Sequence, residues 1–201
     1  MTIIGITGPT GAGKSLLGEQ LAAKGIPVID ADAVYHALLI PPSPCLDALR
    51  RAFGNDIFAP NGELNRQALS EIVFHDEEKL ALLNQTVLDI VLDKIRKQIR
   101  RMAKAGKTVV AVDAPTLIES GFDRECTVVI SVLSPSEIRI KRIMRRDHLD
   151  ADRARARVQA QRKDAFYRAH SDHVLVNGGN REEFKKDVDG LLRALKLPVQ
   201  D

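Results

Sequence analysis

The sequence predicts an α/β protein that is built as a three-layer α/β/α sandwich around a five-stranded parallel sheet. Short apolar runs alternate with helical patterns, and the first thirty residues already read as a strand–helix–strand unit. Such units place parallel strands in one sheet. Residues 31–106, between the second and third predicted strands, show almost only helical periodicity, which is far more than an ordinary crossover needs. This stretch predicts an inserted helical subdomain.

Each predicted strand and helix rests on its own local pattern. The predicted strands are short apolar runs, at residues 1–7, 26–30, 108–113, 128–133 and 173–177. The predicted helices have apolar residues at helical spacing, at residues 14–24, 46–53, 66–74, 76–104, 136–146, 150–168 and 181–195. Gly25 ends the first helix, Asn65 caps the helix that follows it, and the segment PPSPC at 41–45 interrupts the helical pattern.

The composition excludes several classes of protein. Of the 201 residues, 44% are hydrophobic and 28% are charged, which is ordinary for a globular chain and rules out wholesale disorder. No apolar run is long enough for a membrane span, and no basic region typical of a secretion signal precedes the first strand. The net charge of +3 and the aromatic content of 4% favour no nucleic-acid partner. Cys45 and Cys126 lie far apart, so we expect free thiols and a cytoplasmic protein.

The segment from Gly8 to Ser15 matches the phosphate-loop pattern GxxxxGK[ST]. Glycines let backbone N–H groups turn around a phosphate, Lys14 reaches the β- and γ-phosphates, and the Ser15 hydroxyl binds Mg²⁺. The helix that begins there directs its positive end at the anion. A chance glycine-rich turn is the alternative, but the position between a strand and a helix favours a phosphate loop. The predicted ATP-binding residues of this segment are Gly11, Ala12, Gly13, Lys14, Ser15 and Leu16.

A phosphate loop indicates a nucleotide but no particular reaction. The chain has no NKxD segment of the kind that GTPases carry. Its nearest candidate for the Asp-Glu strand end of motor-type ATPases is VVAVD, where Ala114 follows Asp113. Small-molecule kinases remain, because they are short, carry an inserted acceptor-binding region and close an arginine-rich lid over ATP. The sequence therefore predicts a P-loop kinase fold with a helical substrate-binding insertion and an Arg-rich lid.

Two aspartates follow the second predicted strand, at the sheet edge that also holds the phosphate loop. A carboxylate there can accept a proton from an attacking hydroxyl, or align that hydroxyl for in-line transfer. Aspartate is also a favoured helix cap. For Asp30, capping, contact with Mg²⁺-bound water and catalysis all stay open, whereas for Asp32 catalysis is favoured over capping.

Between residues 139 and 168 the chain carries nine arginines and two lysines. Arg139, Arg142 and Arg146 recur at three and four residues, so they share one face of the predicted helix. Arginines that close on a transferring phosphoryl group raise the rate by about 10³–10⁵. The alternative is a solvated basic face that pairs with neighbouring aspartates such as Asp147.

Taken in order along the chain, these segments resemble the dephospho-CoA kinase family. The matching segments are IGITGPTGAGKS at the phosphate loop, VIDAD at 28–32, FGNDIFAPNGELNRQALSEIVF at 53–74, APTLIESG at 114–121, RIKRIMRRD at 139–147 followed by Gln161, and DHVLVNGG at 172–179. The phosphate loop alone is shared by many proteins. The ordered combination is specific, and it covers most of the chain.

The resemblance implies a reaction and roles for particular residues. ATP would give its γ-phosphate to the 3′-hydroxyl of the ribose of dephospho-CoA, which is the last step of coenzyme A synthesis, with Mg²⁺ as the metal. Asp32 would be the base or the orienting group, and Lys14 and Arg146 would stabilise the transferred phosphoryl group. The remaining implied ATP contacts are Arg142, which assists on ATP, and Asn177 and Gly179, which flank the adenine.

The resemblance also divides the chain into functional parts. It implies a nucleotide-binding core at residues 1–30, 107–135 and 172–201, a substrate-binding insertion at about 31–106 and a lid at about 136–171. The expected partners are ATP and dephospho-CoA, with neither nucleic acid nor membrane. The expected assembly is a monomer or a small homo-oligomer.

The sequence departs from the family pattern at a few positions. These are Leu88-Asp89, where the family commonly has His-Pro on the long helix, Pro9 in place of a glycine, Thr10 in place of an apolar residue, and Thr116 in place of a leucine. None of them removes a group that is assigned to the chemistry. Two other functions stay as alternatives: a P-loop kinase for another small acceptor, and a nucleotide-binding module without catalysis.

Overall fold

The computed structural model describes residues 1–73 and 76–197, and its central feature is a five-stranded sheet. The strands are β1 (Thr2–Thr7), β2 (Val28–Asp30), β3 (Val109–Asp113), β4 (Val128–Leu133) and β5 (His173–Val176). They lie in the order β2–β3–β1–β4–β5. β1 pairs in parallel with β3 and β4, and β4 pairs in parallel with β5. The predicted fold class with its five-stranded parallel sheet is confirmed.

Helices connect these strands and account for most of the remaining chain. They are α1 (Lys14–Ala23), α2 (Ala31–Leu38), α3 (Pro44–Phe53), α4 (Arg66–Val73), α5 (Glu77–Lys104), α6 (Ser136–Asp147), α7 (Ala151–Gln159), α8 (Asp164–Ala169) and α9 (Arg181–Ala194), with a short 3₁₀ turn at Phe122–Glu125. Asn65 caps α4 as predicted, because its side chain accepts from the Ala68 N–H at 3.1 Å. The predicted end of that helix at Phe74 lies outside the described residues.

The prediction of one continuous helical stretch over 150–168 is wrong, because the chain breaks between α7 and α8. The Ala160 N–H still bonds to Ala156 O, at 3.0 Å, but Lys163 has extended backbone with φ −71° and ψ 157°. No glycine or proline marks this turn in the sequence. The turn carries Gln161, whose side chain makes a tertiary contact that is described with the site below.

The chain forms two compact units, and the boundary falls at the end of β2 and again within α5. The first unit contains residues 1–29 and the chain from Met102 onward, and it holds the sheet. The second unit, Asp30–Arg101, is helical, and its buried side chains include Leu49, Ile57 and Ile95. In the part of the chain that the structure describes, no helix is both long and apolar enough to cross a membrane.

The core of the first unit is built on the middle strand of the sheet. β1 is apolar along its length, so both of its faces are covered, and Ile4 and Ile6 are fully buried. Leu17 and Leu21 of α1 belong to the same core cluster, as does Phe184 of α9. The phosphate-loop segment therefore leaves the most constrained strand of the sheet and enters a helix that is packed on the same core.

Both cysteines are free thiols, as predicted. Burial raises the pKa of Cys126 to about 12, and the nearby Asp123 and Glu125 carboxylates act in the same direction. Burial also raises the pKa of Cys45. A thiol with a raised pKa stays protonated at neutral pH, so neither cysteine is an activated nucleophile.

Gly5 in the middle of β1 provides a test of this packing. A Cβ at position 5 would lie 2.6 Å from Leu117 Cδ2 and 2.8 Å from Cys126 Sγ. We expect Gly5→Ala to lower the free energy of unfolding by about 1–3 kcal/mol, because the packed neighbours must shift. Urea unfolding measures this. The control is Gly190→Ala in α9, where nothing lies within 4 Å; it should raise stability by about 0.5–1 kcal/mol. Equal stability of Gly5→Ala and the parent chain would contradict the packing.

Candidate active site

The phosphate loop leads from β1 into α1, and its glycines are required by its geometry. Gly8 has φ 136° and Gly13, which precedes α1, has φ 108°. L-residues with a side chain rarely adopt these values. A Cβ on Gly8 would overlap the Val132 carbonyl oxygen, and one on Gly13 would overlap the Asn177 side-chain amide. Space and backbone conformation both demand glycine at these two positions.

Two arginines of α6 bind the outward-facing carbonyl groups of this loop. Arg139 Nε donates to Thr10 O at 2.9 Å. Arg142 Nη1 donates to Gly11 O and to Ala12 O, each at 3.0 Å. In a planar trans peptide the N–H points opposite to the C=O. The N–H groups of Gly11, Ala12 and Gly13 therefore point away from α6. The Ala12 N–H bonds to Pro9 O, and those of Gly11 and Gly13 have the orientation that an anion-binding loop needs.

The loop also closes on itself. The Ala12 N–H donates to Pro9 O at 3.2 Å, and the N–H groups of Leu16 and Leu17 bond to Gly13 O as α1 begins. Arg142 is further held by Ser134, whose hydroxyl lies 3.3 Å from its Nη1. The loop backbone thus has most of its outer hydrogen-bonding groups satisfied by protein partners.

Arg139 is buried, whereas Arg142 is only partly buried. Arg139 is 3% exposed, and one of its terminal nitrogens, Nη2, is buried without a hydrogen-bond partner among the described residues. Burial lowers the pKa of Arg139, and the nearby Asp164 carboxylate acts in the opposite direction. Burial also lowers the pKa of Arg142. Guanidinium groups keep their proton in proteins, so both arginines bring positive charge to the loop.

Lys14 and Ser15 stand at the start of α1. The Lys14 ammonium donates to Gly8 O at 2.8 Å and lies 3.5 Å from Pro9 O. The side chain therefore folds back over the first residues of the loop. Ser15 is exposed in the first turn of the helix. The positive end of the helix dipole and the ammonium together favour an anion at this place.

A cavity of about 320 Å³ lies beside the loop. Its lining residues are Leu16, Glu19, Arg142, Asn177, Gly179 and Arg181. Asn177 is 2% exposed, and its Oδ1 accepts from Arg142 Nη2 at 2.8 Å and from the Gly179 N–H at 3.3 Å. Four of the residues that the sequence assigned to ATP thus meet at one cavity.

A second cavity, of about 380 Å³, lies between the segment after β3 and the turn between α7 and α8. It is lined by Pro115, Thr116, Glu119, Ala160, Gln161, Arg162 and Tyr167. Gln161 also reaches the phosphate loop, because its Oε1 accepts from the Thr10 N–H at 3.2 Å. The break between α7 and α8 thus contains a residue that contacts the phosphate loop.

The structure places Arg146 away from the contacts that Arg139 and Arg142 make. Its guanidinium forms a two-point ion pair with Asp147, at 2.7 and 2.9 Å, and its side chain is 59% exposed. The carboxylate raises the pKa of Arg146, and the pair lowers the pKa of Asp147, to which Arg157 also bonds. This arrangement of Arg146 fits the alternative interpretation of the arginines, which is a solvated basic face paired with neighbouring aspartates.

Asp30 and Asp32 belong to the helical unit. Asp30 caps α2, since its Oδ1 accepts from the Ala33 N–H at 3.0 Å. Asp32 lies in the first turn of α2 and is exposed. A carboxylate in the first turn of a helix is stabilised by the helix dipole. The capping interpretation thus describes Asp30, and Asp32 presents a solvent-accessible carboxylate.

The sequence groups Arg139 with Arg142 and Arg146 on one helix face and places Gln161 in the lid, but it indicates no partner for Arg139 or Gln161. It gives Ser134 no role. In the structure these residues hold the loop or Arg142. The spacing of Arg139 and Arg142 on one helix face was a signal that they act together. No local pattern indicates that their partners are backbone carbonyls more than 120 residues away. These contacts depend on the order of the strands, which a single sequence does not specify.

A phosphate loop that follows the middle strand of a parallel sheet, and whose outer face is bound by an arginine-bearing helix, is the construction of a P-loop kinase. Comparison with known proteins narrows this class. The model of the dephospho-CoA kinase family matches residues 2–183. The chain belongs to the dephospho-CoA kinase family.

Individual relatives agree with this assignment. A dephospho-CoA kinase of Thermobifida fusca is 37% identical over 188 residues, which are 94% of this chain and 93% of that protein. A solved dephospho-CoA kinase from Campylobacter jejuni superimposes with a TM-score of 0.70 at 25% identity, covering 96% of each chain. A solved Thermus thermophilus protein has a TM-score of 0.78 at 30% identity, covering 96% of this chain and 97% of its own.

Replacement of Arg142 tests its place in the site. We expect Arg142→Met to raise the Kd of ATP by about tenfold or more, because charge-assisted hydrogen bonds of about 1.5–3 kcal/mol each are lost. Isothermal titration measures this. Arg145→Met, an exposed neighbour on α6, should stay within about twofold of the parent chain. An unchanged Kd for Arg142→Met would contradict the assignment.

Proposed function

We propose that this chain transfers the γ-phosphate of ATP to the 3′-hydroxyl of the ribose of dephospho-CoA, giving coenzyme A and ADP. The observation that carries the proposal is the phosphate loop, whose carbonyls bond to α6 so that its amides are oriented for an anion. Family membership supplies the acceptor. The activity needs no further prosthetic group, since nucleotide and acceptor bring the reacting atoms.

On the nucleotide side, the phosphates bind at the loop backbone from Gly11 to Ser15 and at the Lys14 ammonium. For this the Ala12 N–H exchanges its bond to Pro9 O for a phosphate oxygen. Lys14 then exchanges its contact with Gly8 O for phosphate oxygens, and so neutralises charge on the transferring group. The adenine side of ATP enters the cavity that Leu16, Arg142, Asn177 and Gly179 line. Support for this comes from the convergence of those residues around one opening next to the loop.

A divalent metal accompanies ATP, and we assign Mg²⁺. Ser15 offers an exposed hydroxyl as a ligand at the start of α1. Mg²⁺ prefers oxygen ligands and is commonly bound through one or two protein groups together with substrate phosphates, so this single hydroxyl suits it. When bound, the metal offsets negative charge on the phosphate oxygens.

On the acceptor side, Asp32 accepts the proton of the 3′-hydroxyl or orients that hydroxyl toward phosphorus. Its exposure leaves the carboxylate accessible, and its place in the first turn of α2 puts it at the positive end of that helix. Asp30 serves as the helix cap. Leu88 and Asp89 replace the family's His-Pro on α5, where Asp89 accepts from the Gln85 side chain at 2.9 Å.

Arg146 completes the proposed set as the arginine that stabilises the transferred phosphoryl group. For this role its guanidinium exchanges the Asp147 carboxylate for phosphoryl oxygens, which have the same two-point geometry. The segment 136–171 acts as the lid, and the helical unit as the substrate-binding insertion. We further propose a cytoplasmic enzyme that works as a monomer or a small homo-oligomer, without nucleic acid.

Acceptor-dependent ADP release tests the reaction, and Asp32→Asn tests its base. The parent chain should release ADP from MgATP with dephospho-CoA but not with AMP or adenosine. Asp32→Asn should lower kcat by about 10²–10⁴-fold while it leaves the Kd of ATP within about twofold, because it removes the proton acceptor and no phosphate contact. The matched control is Asp30→Asn, which keeps an N-cap side chain and should keep most of the turnover.

Three results would count against these assignments. Near-parent kcat in Asp32→Asn would remove Asp32 from the reaction. Preference for another acceptor would favour a different small-molecule kinase. ATP binding without acceptor-dependent ADP release would favour a nucleotide-binding module.

A further inference from the structure

Thr10 of the phosphate loop is bonded to lid side chains at both of its backbone groups. Its carbonyl accepts from Arg139 Nε at 2.9 Å, and its N–H donates to Gln161 Oε1 at 3.2 Å. Arg139 lies on α6 and Gln161 lies in the turn between α7 and α8. Two elements that are separate in the chain therefore hold one loop residue, one through its N–H and the other through its carbonyl.

The backbone at Gly11 is equally close to α6. A Cβ on Gly11 would lie 3.0 Å from Arg139 O and 3.2 Å from Arg139 Cα. This half of the loop rests on the helix backbone and has little freedom on that side. The neighbouring Thr10 N–H is restrained by a different element, through its bond to Gln161.

The turn between α7 and α8 places Gln161 beside the phosphate loop. Gln161 is partly buried, whereas Gln159 two residues earlier in α7 is exposed. The Gln161 N–H bonds to Val158 O at 3.3 Å, after which Lys163 leaves the helix. A helix that continued through this point would carry Gln161 on a regular helical face, so the break presents its amide to Thr10.

The chemistry of a glutamine suits this position. Its amide oxygen is a neutral acceptor that satisfies the Thr10 N–H. A carboxylate in the same place would also accept, but it would add a negative charge within hydrogen-bonding distance of a loop that binds phosphate. A side chain without an acceptor would leave the N–H unpaired, and the loop would lose one of its two anchors at Thr10.

We propose that Gln161 is a positioning residue for phosphoryl transfer, which holds the Thr10 segment of the loop in the conformation that the transferring phosphate requires. The inference rests on the proposed function of the phosphate loop. Gln161 acts through the Thr10 peptide. It touches neither nucleotide nor acceptor in this role. Because it also lines the 380 Å³ cavity, it links that cavity to the loop.

Three variants separate this role from a structural one. Gln161→Met removes the acceptor and adds no charge, and it should lower kcat by about tenfold while the Kd of ADP stays within about twofold. Gln161→Glu keeps the acceptor and adds charge. It should keep a higher kcat than Gln161→Met but raise the KM for ATP several-fold. Gln159→Met is the matched control and should behave as the parent chain. Steady-state ADP release with dephospho-CoA, ADP titration and thermal unfolding are measured on all four proteins.

The outcomes are distinct. A Gln161→Met protein with the kcat and KM of the parent chain overturns the inference. A parallel loss of ADP affinity and kcat in that variant also overturns it, because it would indicate general damage to the loop. If Gln161→Met does not fold, Gln161→Glu decides: a raised KM for ATP with kcat largely retained supports the role, and parent values overturn it. A parent chain that releases no ADP with dephospho-CoA overturns the proposed function and this inference together.

Discussion

The site depends on the bonds between the guanidinium groups of α6 and the carbonyl oxygens of the phosphate loop. Burying a guanidinium is unfavourable unless it finds hydrogen-bond acceptors, and a loop carbonyl turned away from water needs a donor. Arg139 and Arg142 meet both needs with Thr10, Gly11 and Ala12. These bonds leave loop amides oriented for phosphate. The basic helix α6 therefore shapes the nucleotide site through hydrogen bonds to the loop, without having to contact the nucleotide itself.

Several distant segments have to meet for these bonds to form, and the strand order explains how they do. β1 lies beside β4, and β4 lies beside β5, so the ends of three strands bring together the loop, Ser134 and Asn177. Ser134 accepts from Arg142, and its hydroxyl donates to Asn177 O at 2.8 Å. Asn177 in turn accepts from Arg142 and stands where a side chain on Gly13 would go. A residue change in any one of these segments therefore disturbs the others.

Much of the fold and part of the site could be predicted from the sequence. Apolar runs and helical spacing gave all five strands and most helices, and the phosphate-loop motif located Lys14 and Ser15. Two features needed tertiary information. The break at 160–163 has no glycine or proline to signal it, and the residue it carries, Gln161, bonds to Thr10, which is distant in the sequence. Arg139 and Arg146 also look equivalent in sequence. In the structure Arg139 is buried against the loop, whereas Arg146 is exposed and pairs with Asp147.

The most direct test of this account is the ¹⁵N-edited NMR spectrum of the arginine Nε–H groups, recorded before and after saturation with ADP. The Arg139 Nε–H bonds to Thr10 O on a side chain that is 3% exposed. We expect the Arg139 resonance to exchange slowly with solvent and to persist in the ADP complex, in contrast to that of the exposed Arg145. An Arg139 signal that exchanges as fast as that of Arg145, or that loses its protection when ADP binds, would contradict the claim that α6 holds the loop.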